Sequence, residues 1–160
     1  MKYKRFEELP VWQAASDLAE RVFVLSQKPL FRGYGSLRNQ LESSMLSISN
    51  NIAERFERGS TQELINFVHI ARGSAGEVRS MLILLSRMAA FATPRSEILD
   101  LKSRVESISR QLRGWVDSLQ NTSIKGPRYL NDKVRQMEQR KRERDEFLRE
   151  LRSNLSKGSP

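Results

Sequence analysis

The fold is decided by residues 37–91, which read LRNQLESSMLSISNNIAERFERGSTQELINFVHIARGSAGEVRSMLILLSRMAAF. Apolar residues recur there at the three- and four-residue spacing of a buried helix face. They are Leu37, Leu41, Met45, Ile48 and Ile52, followed by Leu64, Val68, Ala71, Ala75, Val78, Leu82 and Leu85. Gly59 suits the position just past a helix end, and Ser60 with Glu63 forms a capping box. The pattern predicts two helices joined at Gly59-Ser60.

Each of these two helices also carries a polar stripe. The stripes contain Ser44, Ser47, Asn51, Glu54 and Arg58 on the first helix, and His69, Arg72, Gly73, Gly76, Glu77 and Ser80 on the second. One interpretation is a solvated face. The other is a partly buried seam, where Asn51, Glu54, Arg72 and Glu77 bond to one another and the two glycines admit a neighbouring helix. A glycine inside a helix costs about 1 kcal/mol relative to alanine, so two of them indicate close backbone approach.

Two more helices flank this pair. The first is expected to begin at Pro10 and end before Pro29, and Phe31 and Tyr34 are expected to anchor the following loop on the core. Ser36 is a suitable N-cap for the second helix. Thr93 and Pro94 predict the cap and first residue of a fourth helix. Its apolar seam is Ile98, Leu101, Val105, Ile108, Leu112, Trp115 and Leu119.

These residues resemble the four-helix-bundle family of 23S ribosomal RNA intervening-sequence proteins. The resemblance covers residues 5–120 and rests on four motifs, SISNNIAE at 47–54, RGS at 58–60, FVHIARGSAGE at 67–77 and FEELPVWQAA at 6–15. Arg55 departs from it, since members usually carry Gly there. The resemblance implies an all-α, antiparallel up-and-down four-helix bundle that assembles as a homopentamer. It also points to a relative, the accessory variability determinant of diversity-generating retroelements, which binds nucleic acid and a reverse transcriptase.

Length and composition limit the domain organisation, the class of partner and the location of the protein. The 160 residues suit one domain, residues 5–122, with a helical tail at 123–160. The formal net charge of +9 is compatible with RNA or DNA as a partner. No secretory signal is visible, and the most apolar run, 78–92, is too short and too interrupted by arginine to span a membrane. We expect a soluble, cytoplasmic protein.

The tail has a heptad pattern with a charged centre. From Lys125 onward there are 11 Lys and Arg against 6 Asp and Glu, so the tail holds +5 of the charge. It is a solvated helix, a helix that docks on another subunit or partner, or a basic helix that contacts phosphates. In the last case the nucleic-acid-binding residues are Arg135, Arg140, Lys141, Arg142 and Arg144.

Catalytic chemistry finds little support in the sequence. The chain has one His and no Cys, and it has no phosphate-binding loop, so we expect no catalytic residues, no cofactor and no metal site. The expected function is a non-enzymatic, self-assembling bundle that serves as a scaffold or a nucleic-acid-associated adaptor. The alternatives are an accessory protein-binding subunit, for example of a retroelement reverse transcriptase, and a purely structural oligomer without nucleic-acid binding.

Truncation after Ser123 tests the proposed boundary. We expect the shortened chain to keep its helical circular dichroism and a cooperative thermal transition, because the tail lies past Gly126-Pro127 and has its own heptad seam. Global unfolding of the shortened chain would show that the boundary is placed wrongly.

Overall fold

Four long helices form the fold in the computed structural model, which describes residues 3–58, 61–121, 140–141, 143–146 and 149. They are α1 (Pro10–Ser26), α2 (Gly35–Arg58), α3 (Thr61–Arg87) and α4 (Arg95–Gln120). Short 3-10 turns occupy Phe6–Glu8, Pro29–Phe31 and Ala89–Phe91. No strand occurs among the described residues, so the prediction of an all-α four-helix bundle is confirmed.

The chain divides into two units, Met1–Gly126 and Pro127–Pro160. In the second unit, the described residues are helical. The predicted boundary after residue 122 remains a prediction, and the turn at Gly59-Ser60 lies outside the described residues. Among the described residues, no helix combines the length and apolar character that crossing a bilayer requires.

The helix start agrees with the sequence at α1 and differs slightly at α2 and α4. Pro10 is the first residue of α1, where its missing N–H leaves no bond unmade. In α4, Pro94 occupies the cap position, and its carbonyl accepts the Ile98 N–H at 2.9 Å. The prediction that Thr93 is the cap is therefore wrong by one residue. Ser36 is not the cap of α2 either, because the helix begins at Gly35 and the Tyr34 carbonyl accepts the Arg38 N–H at 2.9 Å.

The predicted apolar positions of α2, α3 and α4 are buried with two exceptions. Leu37 is half-buried at the start of α2. Trp115 is half-buried on α4, while Val116 is 2% exposed and takes the core position. The spacing from Leu112 to Leu119 is helical through either residue, so periodicity alone does not choose between them. The smaller valine fills the interior and leaves the indole packed against the edge of the core.

The helices contact one another as α1 with α2, α2 with α3, α3 with α4, and α4 with α1. Between α2 and α3, Ser44 bonds to Glu77 and Ser47 bonds to Ser74. From the first bond to the second, the residue number rises by three on α2 and falls by three on α3. Antiparallel neighbouring helices show this relation. At the end of α1, Ser26 donates to Glu42 and Lys28 pairs with Glu97. These contacts join the end of α1 to the early turns of α2 and α4.

An aromatic cluster joins the two loops at that end of the bundle. The Phe31 and Phe91 rings meet edge-on with centroids 5.0 Å apart, and the Tyr34 ring lies 5.6 Å from Phe91. Phe91 is completely buried and Phe31 is 3% exposed. Edge-to-face pairs of this kind add about 0.5–1.5 kcal/mol beyond burial. The prediction that Phe31 and Tyr34 anchor the first loop on the core is confirmed.

Replacing Phe91 with alanine tests the importance of this cluster. We expect Phe91→Ala to lower the free energy of unfolding by about 3–5 kcal/mol, because it leaves a cavity among buried rings. Urea denaturation measures the change. Val24→Ala is the control, since Val24 is 60% exposed and its truncation should change stability by about 0.5 kcal/mol at most. Equal effects of the two substitutions would contradict the role of the cluster.

Candidate interaction surface on α2, α3 and α4

The polar residues of α3 lie on two flanks of the helix, separated by its buried stripe. Ala71, Ala75 and Val78 form the centre of that stripe and are at most 1% exposed. One flank contacts α2 through Ser74 and Glu77. The other flank lines a groove against α4. The polar residues predicted to form one stripe on α3 therefore lie on two separate surfaces, and each surface contacts a different helix.

Hydroxyl groups connect α2 to the first flank. The Ser44 Oγ donates to the Glu77 Oε2 at 2.8 Å, and the Ser47 and Ser74 hydroxyls lie 2.9 Å apart. The Asn51 Nδ2 donates to the Ser47 carbonyl at 2.6 Å and to its hydroxyl at 3.0 Å. Ser44 and Ser74 are buried. Each such bond contributes about 0.5–1.5 kcal/mol net, and an unpaired hydroxyl there would be destabilising.

Ser74 belongs to this cluster but was not among the polar residues predicted from the sequence. The signal was present, because Ser74 directly precedes Ala75, a core position. A small side chain beside the buried stripe allows α2 and α3 to approach closely at that point. Its hydroxyl also donates to the Ile70 carbonyl at 3.2 Å.

The predicted mutual bonding of Asn51, Glu54, Arg72 and Glu77 does not occur. Asn51 bonds to Ser47 on its own helix, and Glu77 bonds to Ser44. Glu54 is exposed and lies 3.8 Å from the Arg55 guanidinium. Arg72 is on the other flank of α3, so it cannot reach the seam. The side chain of Arg58, the last of the predicted α2 stripe, lies outside the described residues.

Arg55 makes its own contact between α2 and α3. Its guanidinium carbon lies 4.1 Å from the centroid of the Phe67 ring, a cation–π arrangement worth about 0.5–1 kcal/mol at an exposed site. Arg55 is the position at which the sequence departs from the family that it resembles. A stacked side chain therefore joins the helices at this position.

The second flank of α3 forms one wall of a groove of about 380 Å³. The lining residues are His69, Arg72, Gly73, Ala75, Gly76 and Arg79 of α3 with Val105 and Ser109 of α4. A Cβ atom added at Gly73 or Gly76 would meet no atom of the described residues within 4 Å. The expected approach of a neighbouring helix at these glycines is therefore not made within the described part of the chain. Instead, the missing side chains leave open space.

The lining of the groove is basic. Arg72 is half-buried, and Arg79 and His69 are exposed. No carboxylate of the described residues lines the groove. Neither arginine has an ion pair among the described residues. The Arg72 Nε is buried and has no hydrogen-bond partner among the described residues. A buried donor left without a partner costs about 1–3 kcal/mol.

The basic residues predicted in the tail are only partly described. Arg140, Lys141 and Arg144 are helical and exposed, and the Arg144 Nη2 lies 3.0 Å from the Asp145 Oδ1. Arg135 and Arg142 lie outside the described residues. Phosphate binding by the tail remains a prediction. No group of three or more potential metal-binding side chains occurs in the part of the chain that the structure describes.

Comparison with known proteins identified the same helical architecture. A family model described as 23S rRNA-intervening sequence protein matches residues 7–114. A crystal structure of a protein with unknown function, from the S23 ribosomal protein family of Bacteroides thetaiotaomicron, is 23% identical with a TM-score of 0.58. The match covers 66% of this chain and 97% of that chain, and at this identity it shows the fold alone. No curated protein matches this chain.

Alanine substitution at the open glycines tests the geometry of the groove. Gly73→Ala and Gly76→Ala should each raise the free energy of unfolding by about 0.5–1 kcal/mol, because alanine favours the helix and its Cβ meets no atom. Chemical denaturation measures both. A loss of stability would show that something packs closely against these positions in solution.

Proposed function

This chain belongs to the 23S rRNA-intervening sequence protein family, and from that premise we propose that it is a non-enzymatic, self-assembling helical bundle. It acts as a scaffold or adaptor that associates with nucleic acid, and RNA is the partner that we expect first. The observation that carries the proposal is the set of basic side chains on α3 and α4 that have no carboxylate partner among the described residues.

Unpaired arginines support an anionic partner. Arg72 and Arg79 on α3 and Arg110 and Arg113 on α4 have no ion pair among the described residues. Three carboxylates of α4 are already paired, since Glu97 meets Lys28, Asp100 meets Arg104 and Glu106 meets Lys102. The positive charge on α3 and α4 is therefore available to an external polyanion. Phosphate contacts of this kind supply most of the sequence-independent affinity for nucleic acid.

Exposed apolar side chains support self-assembly. Ile70 and Leu84 of α3 are 49% and 51% exposed, and Leu46 of α2 is 42% exposed. Ile70, Gly73 and Leu84 are separated by 3 and 11 residues, a spacing that places them on one outward side of α3. An outward side with apolar groups and an open glycine suits contact with a second copy of the chain. The family resemblance suggests five copies arranged as a ring.

Assembly would increase the attraction for RNA. Each copy carries a net charge of +9, and a ring presents several copies of the same basic surface to one polymer. Once one copy is bound, the others bind at a high effective concentration, so weak single contacts combine into useful affinity. The absence of cysteine and the single histidine support a binding role rather than catalysis.

Salt titration of RNA binding tests the nucleic-acid part. We expect the full chain to bind a structured RNA hairpin at about 50 mM salt, and the logarithm of its affinity to fall linearly with the logarithm of salt concentration. Fluorescence anisotropy measures this. An affinity that is undetectable even at about 50 mM salt would remove the nucleic-acid role and leave a structural oligomer.

Light scattering tests the self-assembly part. We expect a particle of several copies of the 18.5 kDa chain at micromolar concentration, five if the ring forms. The double substitution Ile70→Ser and Leu84→Ser should reduce the mass without loss of helix, because both side chains are about half exposed. Val24→Ser on α1 is the control, since Val24 is 60% exposed and lies on a different helix. A wild-type chain that is only monomeric would contradict self-assembly.

A further inference from the structure

We propose that the groove between α3 and α4 is a phosphate-binding site, centred on Arg72 and Arg79. The proposal rests on the proposed function, because the expected source of the phosphate is the backbone of a bound RNA. It assigns the contact to the bundle itself, where the sequence had indicated only the basic tail.

The groove presents its donors along one line. His69, Arg72 and Arg79 follow one another at steps of three and seven residues, so they lie on the same flank of α3. With a rise of about 1.5 Å per residue, the line from His69 to Arg79 is about 15 Å long. Ser109 contributes a hydroxyl from the α4 side. A row of this length can contact more than one phosphate of a nucleic-acid strand.

Arg72 is the residue that points most directly to an external ligand. Three arginines in the described residues have a buried Nε without a hydrogen bond: Arg38, Arg55 and Arg72. The Arg38 Nε still lies 3.9 Å from the Glu42 carboxylate, and the Arg55 guanidinium stacks on Phe67. Arg72 has no such compensation within the described residues. Its guanidinium has the fixed fork of donors that fits phosphate, and bonds to an ionised acceptor are about twice as strong as neutral ones.

The two glycines make room for the ligand. Gly73 and Gly76 have no side chains, and no atom of the described residues lies within 4 Å of their Cβ positions, so the groove stays open along the helix surface. Its volume of about 380 Å³ is many times the volume that one water molecule occupies in the liquid, about 30 Å³. The groove is therefore large enough for a phosphate group with hydrating water.

The carboxylates nearest in sequence do not neutralise the groove. Glu77 accepts from Ser44 on the opposite flank of α3, and Glu106 is held 3.2 Å from Lys102. A carboxylate from a second copy of the chain is the competing ligand. Each copy has 28 Lys and Arg against 19 Asp and Glu, so phosphate-rich RNA is the better source of anions.

The single histidine of the chain reports on the groove, since His69 lies in its lining. The full-length protein, labelled with carbon-13 at histidine, is titrated at fixed pH and ionic strength with inorganic pyrophosphate, and separately with an RNA hairpin. We expect both ligands to shift the one imidazole resonance. Arg72→Gln and Arg79→Gln should each weaken the pyrophosphate response about tenfold, the loss expected from a charge-assisted hydrogen bond.

Arg32→Gln is the matched control, because it removes the same charge from an exposed arginine outside the groove. We expect it to leave the pyrophosphate response unchanged. Arg79 is exposed, so Arg79→Gln remains informative if Arg72→Gln impairs folding. Gly76→Glu gives an independent test, since a carboxylate placed in the groove should compete with pyrophosphate.

The outcomes separate the groove from the proposed function. If RNA binds with unchanged affinity to both arginine variants and the imidazole signal does not move, the groove proposal is overturned while RNA association stands. If pyrophosphate shifts the signal and the arginine variants abolish the shift, but no RNA binds, the groove is supported and the proposed function fails. If the variants change the particle mass and pyrophosphate has no effect, Arg72 pairs with a second copy and the phosphate proposal is overturned.

Discussion

Burial of the apolar stripe of α3 is the constraint on which the rest of the structure depends. Five residues of this stripe face inward and are at most 1% exposed: Val68, Ala71, Ala75, Val78 and Leu82. Their burial fixes the direction in which every other side of α3 faces. Burial of such a stripe is the main favourable term in the folding of a helical bundle. Once it is buried, one polar flank must face α2 and the other must face α4. The seam and the groove are both consequences of that orientation.

The two polar flanks of α3 differ in how they pack. Toward α2, the side chains of Ser44, Ser47 and Ser74 are small enough for close packing. The Ser44 hydroxyl bonds to Glu77, and the Ser47 and Ser74 hydroxyls bond to each other. Toward α4, Gly73 and Gly76 leave open space, and the Arg72 Nε has no acceptor among the described residues. The first arrangement is closed and stabilising. The second is open and carries unused hydrogen-bonding capacity, which is the usual character of a binding surface rather than of a core.

The sequence allowed most of the helical architecture to be predicted. Helical periodicity placed the core positions because an apolar face must be buried whatever its neighbour is. Helix boundaries followed less directly from the sequence, since Pro94 is the cap of α4 rather than its first residue. Near the end of α4, Trp115 and Val116 both fit the spacing, and only packing selected the valine. Single-residue choices of this kind depend on the shape of the interior.

The sequence by itself determined four amphipathic helices, a basic chain and a resemblance to one family. It also drew attention to the residues that matter, including Asn51, Arg72, Gly73, Gly76 and Glu77. Only the tertiary structure decided which of them meet, because residues 100° apart on a helix face different neighbours. It placed Glu77 against α2 and Arg72 beside the open glycines, where no carboxylate of the described chain reaches it.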